Sequence, residues 1–203
     1  MRNTSLVGIG KVTRDGTAAT AEIEVRDDWT GTSFTLEAAM EQATDGHWQV
    51  TYLKNYRHYL DAITPLHNED IAKYSEATKN IVASYNEKLT AYKARFAALS
   101  QTSSGTFTAE QKAGLEALVE KEVIPTLQAR QQELASVEVP PGARYLADQR
   151  QQATELTLKA WQHFLAGIKN DDPDELAQAE TLNKQELAVD LRVDDIIRHT
   201  AIS

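Results

Sequence analysis

The feature that most constrains this chain is a change in the spacing of its apolar residues just after Leu53. Before it, apolar residues recur at every second position. Ala19, Ala21, Ile23 and Val25 alternate with Thr20, Glu22 and Glu24. Phe34, Leu36, Ala38 and Met40 alternate with Thr35, Glu37 and Ala39, and Trp48, Val50 and Tyr52 with Gln49 and Thr51. A strand turns successive side chains to opposite faces, so each run predicts an antiparallel strand with one face on a core and one in water. Asp15-Gly16, the segment Asp27 to Gly31, and Asp45-Gly46 separate the runs. They predict turns, because Asp and Gly tolerate positive φ. With Leu6 to Thr13 as the first strand, the expectation is a four-stranded meander with Trp48 and Val50 in its core.

Beyond Leu53 the steps become three and four residues. Tyr56, Tyr59, Leu60 and Ile63 predict a short helix that Pro65 ends. Asn68 reads as the N-cap of a long second helix, with Glu69 and Asp70 in its first turn. Its stripe runs through Ile71, Tyr74, Ile81, Tyr85, Leu89, Tyr92, Phe96 and Leu99. Ser100 to Phe107 reads as a polar loop. Thr108, with Gln111 three residues on, predicts a capping box. The helix it opens carries Leu115, Leu118, Val119, Leu127 and Leu134, and Pro125 is expected to kink or split it. Val139-Pro140-Pro141-Gly142 reads as a rigid connector. A further helix to about Lys169 turns Leu146, Ala153, Leu156, Ala160, Phe164 and Ile168 inward. Asp172-Pro173-Asp174-Glu175 combines a cap, a first-turn Pro and favourable acids, and opens a last helix burying Leu176, Leu182, Val189, Val193 and Ile196. The fold class expected is α+β. A small antiparallel meander with a closing helix spans residues 1–64, and a bundle-like array of four or five helices spans 65–203.

Charge narrows the function. The chain has 21 Lys+Arg against 30 Asp+Glu, a formal charge of -9, and no basic tract. Both halves are acidic, so binding to nucleic acid or an anionic membrane by counterion release is not expected. No run approaches the roughly twenty apolar residues of a membrane span. The start, MRNTSLVGIG, lacks the apolar core of a signal peptide. A leader or lipid anchor upstream of Met1 would place the protein in the cell envelope or outside the cell, and that is the location favoured. Asn3-Thr4-Ser5 fits a glycosylation triplet.

The chain has no cysteine, which removes thiol nucleophiles, disulfides and thiolate metal sites. None of its five histidines follows a carboxylate by three positions, so the Glu-x-x-His pairs of di-iron bundles are absent. Asp195 and His199 read as a solvated pair at a helix end, and the acids Asp171, Asp172, Asp174 and Glu175 as a helix start. Gly8-x-Gly10 lacks the third glycine and following helix of a dinucleotide loop, and no nucleophile elbow or phosphate loop occurs. No catalytic residue, metal ligand or cofactor is therefore predicted. Tyr74, Tyr85, Tyr92 and Phe96 read as an inter-helix seam, as do Trp161 and Phe164 with His163 between them. The stretch DGHWQVTYLKNYRHYL supplies the candidate binding residues Trp48, Tyr52, Tyr56 and Tyr59. Its His47 and His58 have no evident partner.

The segment VTRDGTAATAEIEVRDDWTGTSFTLEAAMEQATDGHWQVTYLKN, with Gly46, Trp48 and Val50 in a Gly-x-Trp-x-Val pattern, resembles the closing sheet of cystatin-like domains in the nuclear-transport-factor-2-like superfamily. The resemblance covers about the first quarter of the chain. It implies a curved sheet, with helices before it that close a cone-shaped pocket. Here the strand pattern starts at Leu6. Either those helices have been lost, or they lie in a longer protein, or the downstream helices cover the sheet instead, and no catalytic residue carries over. The helical remainder is similar in style to bacterial envelope lipoproteins of unknown function. The leading expectation is a non-catalytic bacterial interaction or ligand-binding module outside the cytoplasm, with a protein or a small apolar molecule as partner. An enzyme or carrier with a pocket between sheet and covering helix is one alternative. A helical scaffold or adaptor is the other.

Overall fold

The computed structural model describes residues 4–101 and 107–200. Asn3 of the glycosylation triplet and most of the Ser100 to Phe107 loop lie outside the described residues. The chain is α+β: four antiparallel strands in the order β1-β2-β3-β4, then five α-helices. It divides into two compact units, one of residues 4–70 with Pro141–Ala143, the other of the remaining described helical residues.

In the first unit, β1 (Thr4–Asp15), β2 (Ala18–Asp27), β3 (Ser33–Gln42) and β4 (Trp48–Leu53) form the expected meander. The turns fall at the three Asp/Gly segments, where Gly16, Gly31 and Gly46 all take positive φ. Residues paired across strands share a face of the sheet, so register identifies the inner face. Ala19, Ala21 and Val25 on β2 and Leu36 and Ala38 on β3 are buried there, as their alternation predicts.

Two strands depart from strict alternation. On β1, Leu6, Ile9 and Val12 pair with Val25, Ile23 and Ala21. Three-residue steps therefore face two-residue steps, with register shifts after Leu6 and after Ile9. On β4, a shift carries the partner from Val50 (opposite Met40) to Tyr52 (opposite Ala39). The extra residue, Thr51, turns Tyr52 to the face opposite Val50. Trp48 and Val50 were expected in the core, and this is corrected: Trp48 is half-buried and Val50 is 56% exposed. The sheet's core lies elsewhere, where Val25 and Leu36 meet Tyr59 and Ile63, with Ile23, Phe34, Leu53, Tyr56 and Leu60 around them.

The covering element is the helix that follows the sheet. It does not stop at Pro65: α1 is one helix, Tyr56–Leu99, with Pro65 inside it and Asn68 well within it rather than at a cap. Proline removes one backbone hydrogen bond, the one its N–H would make to the carbonyl of Asp61. Asp61 and Pro65 are both exposed, so water can serve that carbonyl, while Tyr59 and Ile63 hold the helix on the sheet. In the same unit Gly142 lies close to α1, its N–H donating to Asp70 Oδ2 at 2.8 Å. A β-carbon there would stand 2.9 Å from the His67 Cα, so only glycine fits.

The second unit contains the rest of α1, α2 (Ala109–Leu118), α3 (Ile124–Ser136), α4 (Arg144–Asn170) and α5 (Pro173–Thr200). The capping box forms as predicted: Gln111 N–H donates to Thr108 Oγ1, and Thr108 N–H donates to Gln111 Oε1 at 2.9 Å. Pro125 makes its mark as a π-helical turn, Val119–Val123, between α2 and α3. The wider turn absorbs the proline ring without breaking the inner stripe of Leu118, Val119, Val123 and Leu127, all buried. Asp172 caps α5, its Oδ1 accepting from the Asp174 N–H at 2.9 Å. Leu176 is more exposed than expected, at 37%, yet its side chain sits directly over Gly167. Around Leu118, Val123 and Leu127 pack Leu89, Tyr92, Phe96, Leu99, Leu158 and Trp161. Phe96, Trp161 and Phe164 meet edge to face, with centroids 5.1 to 5.8 Å apart, as the seam reading predicted.

Candidate functional site

The four aromatic residues nominated from the sequence do not converge. Tyr59 is 1% exposed, a core residue whose hydroxyl lies 2.9 Å from Thr4 Oγ1. Tyr56 packs beside it, ring centroids 6.2 Å apart. Trp48 lies under the guanidinium of Arg14 at 5.4 Å, and Tyr52 stands exposed on the other face. His47 and His58 are exposed.

A third histidine, His67, is engaged instead. Asp27 follows Val25 by two residues, so the strand period turns its carboxylate to the inner face, where it is buried. There it accepts from the Thr30 N–H at 2.8 Å, from the Thr30 hydroxyl at 2.6 Å, and lies 2.8 Å from His67 Nε2. Trp29 packs on the imidazole at 5.4 Å. Burial pushes the Asp27 carboxyl up, but the bonds from Thr30 and His67 outweigh it and hold it below the ordinary aspartate value. With every partner supplied from within the unit, the cluster ties the end of β2 to α1.

The opening with chemical potential lies in the helical unit. A cleft of about 390 Å³ is lined by α1 (Val82 to Lys93), Val123, Arg130 of α3, α4 (Arg150 to Trp161) and α5 (Glu186 to Ile197). Three of its charged groups interrupt the inner stripes of three helices, while Lys93, Asp190 and Asp194 reach it from exposed positions on α1 and α5. Arg130 falls between Leu127 and Leu134, Arg150 between Leu146 and Ala153, and Glu186 between Leu182 and Val189, all six apolar neighbours being buried. Amphipathic periodicity thus carries charges inward where the stripe is otherwise apolar.

The two arginines differ. Arg150 donates to the Thr78 hydroxyl and lies 5.5 Å over the Tyr74 ring. Arg130 Nε is buried and has no hydrogen-bond partner. Burial pushes the Arg130 guanidinium below its usual value against the pull of Asp190 and Glu186. Opposite it, Glu186 and Asp190 stand four apart on α5 and line the same cleft. Burial first, then the charge of Asp190 and a hydrogen bond with it, push the Glu186 carboxyl up to about 7, against Lys93 and Thr157. The pair therefore keeps a proton into the neutral range. Leu89, Tyr92 and Trp161 supply an apolar wall.

Outside the cleft, Ser75 Oγ and Gln149 Oε1 are also buried without a hydrogen-bond partner, while several charged groups pair structurally. His163 Nδ1 lies 2.5 Å from Glu175 Oε2, and Asp171 pairs with Lys112. Asp195 and His199 form the exposed pair expected of them, 3.3 Å apart. Among the described residues no group of three His, Asp or Glu is placed to hold a metal ion, and no helix is long and apolar enough to cross a membrane. The sequence search passed over Arg130, Arg150 and Glu186, though each interrupts an apolar stripe it had traced. No protein-family model, curated protein or solved structure matches the chain.

Proposed function

We propose that this chain is a non-catalytic binding module whose helical unit holds a small molecule in the cleft between α1, α3, α4 and α5. The observation that carries this reading is the buried, unpartnered Arg130 Nε at a cleft of about 390 Å³. A buried donor without an acceptor costs roughly 1–3 kcal/mol, and a ligand acceptor offsets that cost. The volume lies in the range of small-molecule sites, and the lining has their usual mix of apolar wall and a few polar groups.

The test is a fragment screen by ligand-observed NMR on the full chain, with Thr157→Trp as comparison. Thr157 is half-buried on the cleft wall, and an indole there fills the space. The expected result is a set of fragments bound by the native protein and lost in the variant, with the far-UV spectrum unchanged. An identical set in both proteins would overturn the reading.

A further inference from the structure

Resting on that reading of the cleft, the geometry points to its ligand class: an organic monocarboxylate with an apolar, preferably aromatic, body. The head lies against Arg130 and the body along Leu89, Tyr92 and Trp161. An open donor, the balance of charge and an apolar wall all favour this chemistry.

The first is the donor. Arg130 presents a buried Nε–H with no acceptor, and a guanidinium matches a carboxylate in shape as well as charge. Arg150 lines the same cleft but already donates to Thr78 and stacks on Tyr74, so of the two arginines Arg130 is the one left to bind.

The second is the balance of charge. Lys93, Arg130 and Arg150 line the cleft together with Glu186, Asp190 and Asp194. Burial and the neighbouring Asp190 raise the Glu186 carboxyl to about 7, so at pH 6 the two acids carry one negative charge fewer toward the ligand. With that proton in place, the cleft carries three positive groups against two negative ones, which suits one negative charge. A doubly charged phosphate would meet Asp190 and Asp194 as well as the cations. A cationic ligand would leave Arg130 unpartnered and would face it at close range.

The third is the wall. Leu89, Tyr92 and Trp161 belong to the apolar cluster around Val123 and also line the cleft, so a flat apolar body can extend the existing aromatic packing. About 390 Å³ accommodates a two-ring molecule with a carboxylate head.

The experiment is isothermal titration at pH 6 with three probes that share one body: 2-naphthoate, 2-naphthamide and 2-naphthylmethylammonium. The proteins are the native chain, Arg130→Met and Thr157→Trp. The expected result is that the native chain binds naphthoate at least about tenfold tighter than either other probe. Arg130→Met then loses at least about tenfold for naphthoate while its affinity for naphthamide stays within about twofold, and Thr157→Trp binds none. The comparison of probes on the native chain holds even if a variant folds poorly. Naphthamide or the ammonium probe binding as tightly as naphthoate, and lost in Thr157→Trp, overturns the ligand class and leaves the small-molecule reading standing. Absence of binding by all three probes, or equal binding in Thr157→Trp, overturns both.

Discussion

Glu186 sits in an environment that works against its ordinary ionisation. Burial and the neighbouring Asp190 raise its carboxyl to about 7. A carboxyl raised on folding binds its proton more tightly in the native state, so it favours folding at low pH. That contribution is present in full below the unfolded value near 4.5 and is lost as pH rises through about 7. Glu186→Gln, neutral throughout, is expected to shift the urea midpoint upward relative to the native chain at pH 8 and to leave it nearly unchanged at pH 4. Equal shifts at both pH values would remove the acid pair from the account. Asp27 has the opposite sign. Its carboxyl is held below 3.8, so its contribution is present above that value and disappears as pH falls through the lower folded one. Asp27→Asn therefore costs more stability at pH 7 than at pH 2, a difference that urea melts at the two pH values resolve. Tyr59 separates ring from hydroxyl. Tyr59→Phe removes only the bond to Thr4 and costs about 1 kcal/mol, whereas Tyr59→Ala empties the centre of the sheet's core and costs about 3–5 kcal/mol. These residues were partly legible. Asp27 sits two positions after Val25, and His67 four after Ile63, so strand and helix periods bring both to the core. His67 passed unnoticed because the helix was expected to end at Pro65.

At the scale of elements, the sequence signals that survived were those with a local cause. The Thr108 capping box, the Asp172 cap and the glycine turns act within a few residues, and each formed where expected. Pro65 did not act as expected because packing outweighed a local preference. Its helix is anchored on the sheet by Tyr59 and Ile63 ahead of it and passes Gly142 behind it. The cost of the proline has nonetheless been borne. Pro65→Ala restores the missing hydrogen bond at an exposed position and is expected to stabilise the chain by about 1–3 kcal/mol, seen as a higher Tm. A fall in Tm would mean that the proline shapes α1 for its packing. Thr108→Ala removes the cap of α2 and costs about 1 kcal/mol. The β-bulges belong to this scale too. The extra residue Thr51 turns Tyr52 to the face opposite Val50, so the period read through Trp48 and Val50 does not carry on to Tyr52.

For the whole molecule, net charge makes its own prediction. With 30 acids against 21 bases, the chain is expected not to sediment with vesicles of anionic phospholipid at physiological salt, whatever its cleft binds. By itself the sequence determined the class: a period-two segment with three glycine turns, then period-three-to-four helices with their caps. Hydrophobic periodicity and capping are local, so they can be read along the chain without knowing what packs on what. The cleft was decided by the tertiary structure alone. Arg130, Arg150 and Glu186 each stood visible as one charge in an apolar stripe, but their common destination depends on how four helices pack, and no local rule encodes that. The unpartnered Arg130 Nε is a fact of that packing. Satisfaction of a hydrogen bond depends on which groups meet in space, and residues 93, 130, 150 and 186 come together only when the helices have folded.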